Sequence, residues 1–150
     1  MPSRPYESLV RWVAPIGGWQ ERMQAVADVL WQGLKDAGVS WVGFYLHQGR
    51  DELVLGPRQP VPACSPIPMH GACGQAFRAR RPLVVRDVQE LGANYVACDP
   101  QDRSEIVIPL LGPDGRCWGV LDLDSHDLGS FDDADVAGLQ LVLRTAGLTA

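Results

Sequence analysis

A Gly-Pro-Asp-Gly segment at residues 112–115 stands between two runs of mostly apolar residues. Glycine, proline and aspartate are the residue types that tight turns favour, because they adopt or tolerate the backbone angles that a turn requires. The flanking runs, residues 105–111 and Cys117–Ser125, are rich in valine, isoleucine and leucine. This pattern predicts an antiparallel hairpin, so the fold must contain an antiparallel sheet.

Helices and further strands are predicted around this hairpin. Apolar residues recur every three or four positions within residues 19–37, which indicates an amphipathic helix, and Gly38 follows as its stop. Residues 41–46 and 52–55 form a second predicted hairpin. A short helix, a short strand and a C-terminal helix follow at residues 72–80, Leu83–Val85 and 133–144, the last capped by Ser130 or Asp132.

Two stretches between these elements are expected to be irregular. Residues 56–71 contain five prolines, which regular structure does not accommodate. Residues 86–104 are the second stretch, and they contain Cys98. Long loops inside compact domains are usually functional. The order of the elements predicts an α/β domain built on an antiparallel sheet.

Size and charge exclude several classes of protein. A chain of 150 residues that is 46% hydrophobic can bury one core, so residues 1–150 are expected to form one domain. The net charge is -5 and no segment concentrates lysine and arginine, which argues against nucleic acid as a partner. Residues 1–6 lack the apolar core of a signal peptide, and no apolar run reaches the roughly 20 residues that span a bilayer. We therefore expect a cytoplasmic protein without a membrane partner.

Three of the four cysteines lie in predicted loops or at the start of a predicted helix, namely Cys64, Cys73 and Cys98. Cys117 lies inside a strand and is expected to act as a small apolar side chain. A reducing compartment keeps thiols free, so loop cysteines suggest redox chemistry, metal binding or packing. Cys73 lies near a predicted helix N-terminus, where the helix dipole stabilises a thiolate. Asp99 would disfavour a thiolate at Cys98, whose activation must come from groups that the sequence does not identify.

Cys64, His70, Cys73 and Cys98 are of the residue types that bind zinc. Structural zinc sites usually contain a Cys-x-x-Cys pair, and this sequence has none. The sequence therefore favours a site without a metal, and zinc is the less favoured alternative.

Two aspartates interrupt the apolar strand Cys117–Ser125. Asp122 and Asp124 are two residues apart, so both side chains project from one face of the strand, and Glu105 on the preceding strand can reach the same region. Carboxylates crowded in a partly desolvated site repel one another, which raises the pKa of at least one and makes it a proton donor near neutral pH. A solvated strand end that anchors a loop explains these residues equally well.

Trp41 and Tyr45 share one face of a predicted strand, with Gly43 between them. Aromatic side chains that flank a glycine can form a slot for a small apolar group. Packing in the core is the more common explanation for such a strand.

These segments occur in an order that resembles one enzyme family. The motifs are Trp41-Val42-Gly43-Phe44-Tyr45-Leu46, Leu53-Val54-Leu55-Gly56-Pro57, Pro62-Ala63-Cys64, Gly71-Ala72-Cys73-Gly74-Gln75-Ala76, Asp87-Val88, Ala97-Cys98-Asp99, Ser104-Glu105-Ile106-Val107-Ile108-Pro109, Gly119-Val120-Leu121-Asp122-Leu123-Asp124-Ser125 and Phe131-Asp132. Together they resemble the free methionine-(R)-sulfoxide reductases, a branch of the GAF family. The similarity covers roughly residues 20–145. Its most specific part is the three cysteine motifs followed by Ser-Glu-Ile-Val and Leu-Asp-Leu-Asp-Ser.

Three loops depart from the family pattern. The stretch between Cys64 and Cys73 is one residue shorter, residues 91–96 replace a segment of the Phe-Pro-Gly-His type, and Arg58 and Pro60 replace the usual residues after Gly-Pro. These loops shape the pocket, so the departures bear on substrate affinity more than on the type of reaction.

The resemblance implies a GAF-like α/β fold, with a central antiparallel sheet of five to six strands and flanking helices. It implies that Cys98 attacks the sulfoxide, that Cys64 is the resolving partner and that Cys73 is a third cysteine whose role is less settled, so the choice of resolver between Cys64 and Cys73 stays open. It also implies acidic residues that bind substrate and assist proton transfer, and an aromatic wall around the substrate methyl group. These residues are Glu105, Asp122 and Asp124, with Trp41 and Tyr45 as the wall.

The activity implied by the resemblance is the reduction of free L-methionine-(R)-sulfoxide through a sulfenic acid and a disulfide, without a metal or another cofactor. Thioredoxin is the expected reductant and a homodimer is the expected assembly. Two alternatives are a non-catalytic GAF module that senses a small ligand, by analogy with most GAF domains, and a structural or interaction protein with incidental thiols.

Overall fold

The computed structural model describes residues 3–150. Its helices are α1 (Tyr6–Leu9), α2 (Trp19–Leu34), α3 (Ala72–Ala79) and α4 (Asp133–Thr145). Its strands are β1 (Trp41–His47), β2 (Glu52–Gln59), β3 (Ile67–Pro68), β4 (Leu83–Val85), β5 (Ser104–Leu111) and β6 (Cys117–Ser125). None of the helices in this part of the chain has the length and apolar character that a bilayer crossing requires.

The six strands form one antiparallel sheet in the order β3-β2-β1-β6-β5-β4. The predicted hairpin of β5 and β6 is confirmed, and Gly115 in its turn has a φ of 81°, in the left-handed region that glycine adopts without strain. The hairpin of β1 and β2 is confirmed as well. The α/β architecture on a central antiparallel sheet is therefore as the sequence predicts.

The sheet is buried on both faces, and β1 shows how the sequence achieves this. Alternate side chains of a strand point to opposite faces. Val42 and Phe44 pack in the core formed with α2 and α4, whereas Trp41 and Tyr45 lie on the opposite face with α3. Full burial of a side chain such as Phe44 contributes about 1.5–3 kcal/mol. The candidate site lies on the α3 face.

Helix ends differ slightly from the predicted positions. α2 ends at Leu34 rather than at residue 37, and Gly38 follows with a φ of 89°, which turns the chain towards β1. Asp132, rather than Ser130, caps α4, because its carboxylate accepts hydrogen bonds from two backbone N–H groups of the first turn.

The prediction that residues 56–71 are irregular is wrong in two places. β2 continues through Pro57 to Gln59, and the short strand β3 pairs with the start of β2. The pairing of β1 with β2 shifts register at this point, so Gly56 and Pro57 together lie opposite Phe44. Such a β-bulge leaves a residue outside the ladder of hydrogen bonds, where the missing N–H of proline is tolerated.

Residues 86–104 are likewise more ordered than predicted, because 3-10 turns run from Val88 to Asn94. Asp87 caps them, since its carboxylate accepts a hydrogen bond from the backbone N–H of Gln89 at 3.0 Å. A cap of this kind, in which an aspartate side chain accepts a hydrogen bond from a nearby backbone N–H, fixes the backbone conformation of the loop. The turns carry Val88 and the following Tyr95 to the edge of the candidate site.

Arg4 links the N-terminal segment to the residues that follow α2 and to the start of α4. Its guanidinium donates to the backbone oxygen atoms of Ala37 at 3.0 Å and Ser130 at 2.9 Å, and to the carboxylate of Asp135 at 2.9 Å. Tyr6 donates to the same carboxylate. The charged groups of Arg4 and Asp135 are both almost fully buried, so each depends on the other for compensation.

Candidate active site

A pocket lies on the α3 face of the sheet, beside the start of β1, the start of β5 and the end of β6. α3 and the segments before it and after β4 complete its sides. Seven of the eight candidate residues from the sequence line this pocket: Trp41, Tyr45, Cys73, Cys98, Glu105, Asp122 and Asp124. The eighth, Cys64, is bonded to Cys98 at the edge of the pocket.

Cys64 and Cys98 form a disulfide that links the segment before β3 to the segment before β5. Their Cα atoms are 5.6 Å apart, within the range that disulfides require. Cys64 is exposed, whereas Cys98 is half-buried and faces the pocket. The resemblance assigns these two cysteines as the attacking and resolving residues. They are close enough to form a disulfide with each other.

Two aromatic side chains of β1 hold the segment that carries Cys64. The indole N–H of Trp41 donates to the backbone oxygen of Val61 at 2.8 Å, and the hydroxyl of Tyr45 donates to the backbone oxygen of Cys64 at 2.7 Å. The side chain of Ser65 accepts a hydrogen bond from the backbone N–H of Leu55 at 3.0 Å. These bonds replace the regular pairing that the prolines of this segment prevent.

Trp41 and Tyr45 lie side by side, with their ring centroids 6.0 Å apart. The alternative of a slot over Gly43 is wrong, because the indole of Trp41 covers that glycine and a Cβ atom there would overlap the ring. Gly43 thus makes room for Trp41 itself. The two rings line the pocket. Their role as a wall around the substrate methyl group stays a prediction.

Cys73 is the second residue of α3, as the sequence predicts, but it is only 5% exposed. Burial, followed by the nearby Asp122 carboxylate, raises the pKa of the Cys73 thiol well above its usual value. The expectation that the helix dipole stabilises a thiolate at this position is therefore wrong. Desolvation and a like charge outweigh the dipole, whose effect is about 1 kcal/mol.

The carboxylates of two strands meet on the pocket side of the sheet. In the register of β5 and β6, Glu105 pairs with Asp124, and Val107 pairs with Asp122. Directly paired residues of an antiparallel sheet point to the same face. Asp122 and Asp124 also lie on the same face as Trp41, which pairs with Asp124 across β1. The sequence prediction that three acidic side chains converge is confirmed.

This carboxyl cluster, defined as Glu105, Asp122 and Asp124, is poorly solvated. Burial raises the pKa of each group, and for Asp122 and Asp124 the neighbouring carboxylates raise it further. Asp122 is 4% exposed, and its Oδ1 atom has no hydrogen-bond partner among residues 3–150. A solvated strand end does not describe these residues. The cluster can hold a proton near neutral pH, and its ionised members can bind a cationic group.

Asp102 is a pocket residue that the sequence analysis does not identify. Burial, followed by the carboxylates of Asp99 and Glu105, raises the pKa of Asp102 to about 7. Its Oδ1 atom lies 3.8 Å from Nε2 of His126, which is partly exposed, and has no hydrogen-bond partner among residues 3–150. The only sequence signal for this residue is its position between Cys98 and Glu105, since its orientation depends on the path of the loop.

The four candidate zinc ligands of the sequence do not come together as one set, although ligand atoms of Cys73, Glu105 and Asp122 lie within 4.8 Å of one another. Cys64 and Cys98 are bonded to each other, Cys73 is buried in the pocket and His70 is exposed. Cys117 is a free, half-buried thiol at the start of β6, outside the pocket lining. The pocket chemistry is thus that of thiols, carboxyl groups and aromatic rings.

Comparisons of the sequence with known proteins identify its family. A family model described as the GAF domain matches residues 18–149. The chain is 42% identical over 118 residues to the free methionine-R-sulfoxide reductase of Escherichia coli (strain K12), which corresponds to 77% of this chain and 68% of that protein.

Solved structures give the same result at the level of the fold. The fRMsr of Staphylococcus aureus in its reduced form has a TM-score of 0.85 and 33% identity, over 97% of each chain. The free methionine-R-sulfoxide reductase from Neisseria meningitidis in complex with its substrate has a TM-score of 0.79 and 40% identity, over 94% of this chain and 81% of that chain. The chain therefore belongs to the GAF domain family, in the branch of the free methionine-R-sulfoxide reductases.

Proposed function

We propose that this protein reduces free L-methionine-(R)-sulfoxide to methionine by thiol chemistry at Cys98. The observation that carries the proposal is the Cys64–Cys98 disulfide beside a pocket that contains the buried carboxyl cluster. Two thiols that form a disulfide supply the two electrons of the reduction, and a carboxyl group with a raised pKa supplies a proton. The names of the relatives from E. coli and N. meningitidis support the choice of substrate.

In the first step, oxygen passes from the substrate to Cys98. The Cys98 thiolate attacks the sulfoxide sulfur while a protonated member of the carboxyl cluster donates to the sulfoxide oxygen. The hydroxyl group then transfers from the substrate sulfur to the Cys98 sulfur, while the transient bond between the two sulfur atoms breaks. Methionine leaves, and Cys98 becomes a sulfenic acid. The substrate sulfur gains two electrons, and the cysteine sulfur loses two.

In the second step, Cys64 resolves the sulfenic acid. Its thiolate attacks the Cys98 sulfur, the disulfide bond forms, and the hydroxyl group leaves as water after it takes up a proton. The Cα separation of 5.6 Å supports Cys64 as the resolving residue. Cys73 is less suited to this step because burial and the Asp122 carboxylate disfavour its thiolate.

The carboxyl cluster also accounts for selectivity towards the free amino acid. Ionised members of the cluster attract the substrate ammonium group, and this attraction is strong in a poorly solvated pocket. A methionine inside a peptide has no such group at its nitrogen. Trp41 and Tyr45 contact the methyl group in this arrangement, since both rings line the same pocket.

Thioredoxin is the proposed reductant that returns the disulfide to two thiols. A homodimer and a single domain over residues 1–150 are also part of the proposal, and the first follows from the family resemblance alone. Size-exclusion chromatography with light scattering tests the assembly.

The proposed activity is tested by NADPH consumption in the presence of thioredoxin and thioredoxin reductase. We expect turnover with free (R)-methionine sulfoxide and none with the (S) form. Cys117→Ser is the matched control, because Cys117 lies outside the pocket lining. A folded protein that turns over neither form contradicts the proposal and favours the ligand-sensing alternative.

A further inference from the structure

We propose that the reductant attacks the sulfur of Cys64 rather than that of Cys98, and that it docks on the exposed segment 60–66, here called the Cys64 segment. This inference rests on the proposed function only in assuming that the Cys64–Cys98 disulfide is recycled by a dithiol protein. It assigns which sulfur forms the mixed disulfide and which face of the molecule the partner contacts.

An incoming protein thiol reaches the sulfur of Cys64 more easily than that of Cys98. Cys64 is exposed, whereas Cys98 is half-buried, lines the pocket and packs against its apolar side chains. Thiol–disulfide exchange requires the incoming thiolate to reach the sulfur that it attacks, so the exchange depends on which sulfur is accessible. An attack on Cys98 would place the nucleophile inside the pocket. A protein-borne thiol cannot enter there without displacing neighbouring side chains, whereas Cys64 is reached from solvent.

Charge also favours attack on the sulfur of Cys64 over attack on the sulfur of Cys98. Residues 60–69 contain no aspartate, glutamate, lysine, arginine or histidine. Cys98 is followed by Asp99, and Asp102, Glu105 and Asp124 line the pocket around it. An incoming thiolate is an anion, so the carboxylates repel it from Cys98, and no like charge within the Cys64 segment opposes its approach to Cys64.

The Cys64 segment also has the surface that a docking partner requires. Val61 is 58% exposed, and the prolines at positions 60, 62 and 66 are exposed as well. The hydrogen bonds from Trp41 and Tyr45 to the backbone of the segment fix its conformation from the pocket side. Docking therefore costs little ordering of the segment. The partner that fits is a dithiol protein whose reactive thiol is surrounded by apolar surface.

The exchange balances in two displacements. The first thiolate of the partner attacks the Cys64 sulfur, a bond forms between them, and Cys98 leaves as a thiolate in the pocket. The second thiol of the partner loses its proton to solvent and attacks the partner's own sulfur in the mixed disulfide, so that Cys64 leaves as a thiolate and is protonated by solvent. The enzyme disulfide gains two electrons, the partner dithiol loses two, and Cys98 is released first at the position where it attacks substrate.

The mixed disulfide can be trapped directly. The oxidised protein is mixed with a thioredoxin in which the second active-site cysteine is replaced by serine, quenched with acid, alkylated, digested without reduction and analysed by mass spectrometry. We expect the thioredoxin peptide to be linked to the peptide that contains Cys64, with Cys98 alkylated. Linkage to Cys98 with Cys64 alkylated overturns the proposal, and so does the absence of any complex from protein whose Cys64–Cys98 disulfide is intact.

A surface variant tests the docking face. Val61→Asp places a negative charge on the Cys64 segment without changing the backbone oxygen that Trp41 contacts. We expect it to raise the KM for thioredoxin about fivefold or more, with the KM for the sulfoxide unchanged. Ile16→Asp is the matched control, because Ile16 is 77% exposed and lies outside the pocket lining and the Cys64 segment. Equal effects of the two substitutions contradict the assignment of the docking face.

Failure of this inference and failure of the proposed function give different results. Peroxide can form the disulfide without any sulfoxide, so the trapping experiment does not depend on methionine sulfoxide turnover. If the protein is trapped at Cys64 but reduces no sulfoxide, attack at Cys64 is supported and the proposed substrate is contradicted. If the protein turns over sulfoxide but is trapped at Cys98, the proposed function is supported and attack at Cys64 is contradicted.

Discussion

The hydroxyl of Tyr45 donates a hydrogen bond to the backbone oxygen of Cys64 at 2.7 Å. A ring that lines the pocket thus also positions the cysteine that closes the disulfide. Tyr45→Phe keeps the ring and removes this bond, which is worth about 1 kcal/mol, so we expect disulfide formation to slow about fivefold with the KM for sulfoxide little changed. Quenched alkylation after one equivalent of substrate measures the rate. Tyr95→Phe is the control, because it removes a hydroxyl from another ring that lines the same pocket, whereas the hydrogen bond to the backbone oxygen of Cys64 comes from Tyr45.

A single-turnover experiment distinguishes the roles proposed for Cys98 and Cys64. Cys98→Ser removes the attacking thiol, so we expect no methionine from the reduced variant. Cys64→Ser leaves the attacking thiol, so we expect one equivalent of methionine per protein molecule and a sulfenic acid that dimedone labels. Quantitation of methionine by mass spectrometry checks both. An undiminished activity of Cys98→Ser would remove Cys98 from the mechanism and place Cys73 in its role.

On the alkaline limb of the pH profile, activity should fall as pH rises, because the proposed proton donor in the carboxyl cluster is lost when it ionises. The Asp102 carboxylate is one of the charges that raise the pKa of Asp124. Asp102→Asn removes that charge and lowers the pKa of Asp124, so we expect the alkaline limb of kcat/KM to move about one pH unit lower. Profiles between about pH 5 and 9 provide the test. The exposed Asp51, substituted by asparagine, should leave the limb in place.

Folding stability should depend on pH in the same sense. The pKa of Asp122 is raised in the folded state, so its favourable contribution is present below the unfolded value near 4 and is lost as pH rises towards the folded value. Asp122→Asn cannot ionise. We expect it to increase the free energy of unfolding relative to wild type by about 1–3 kcal/mol at pH 8, and by less at pH 5. Urea denaturation at both values measures this, and the exposed Asp36→Asn should show no such difference.

Gly74 allows α3 to approach the backbone that follows β3. A Cβ atom at this position would overlap the backbone of Met69. Gly74→Ala should therefore destabilise the fold by about 1–3 kcal/mol and displace the neighbouring Cys73. Thermal denaturation checks the loss. Gly18→Ala is the control, because a Cβ there would lie 3.9 Å from the nearest side-chain atom, an ordinary contact.

The features that could be predicted from the sequence follow from the regular spacing of residues along strands and from turn residues. The two-residue spacing of Asp122 and Asp124 fixes the face to which both point, and the register of β5 and β6 then places Glu105 beside them. The turn at residues 112–115 fixes the hairpin. The pairing of Cys64 with Cys98 has no such basis, because their segments are irregular, and it was implied only by the family resemblance.

What could not be predicted depends on tertiary contacts. The sequence shows that Cys73 begins a helix, but its burial follows from how closely α3 packs on the sheet. Two aromatic residues around Gly43 leave the direction of the Trp41 ring open, and that direction decides whether a slot exists. Asp102 enters the pocket only because of the path of an irregular loop, which no local pattern specifies.

The disulfide crosses the boundary between solvent and pocket, with Cys64 outside and Cys98 inside. In the proposed exchange, attack on the exposed Cys64 sulfur breaks its bond to Cys98 and so releases the Cys98 thiolate beside the pocket. A reductant bound outside leaves the pocket vacant for the next sulfoxide.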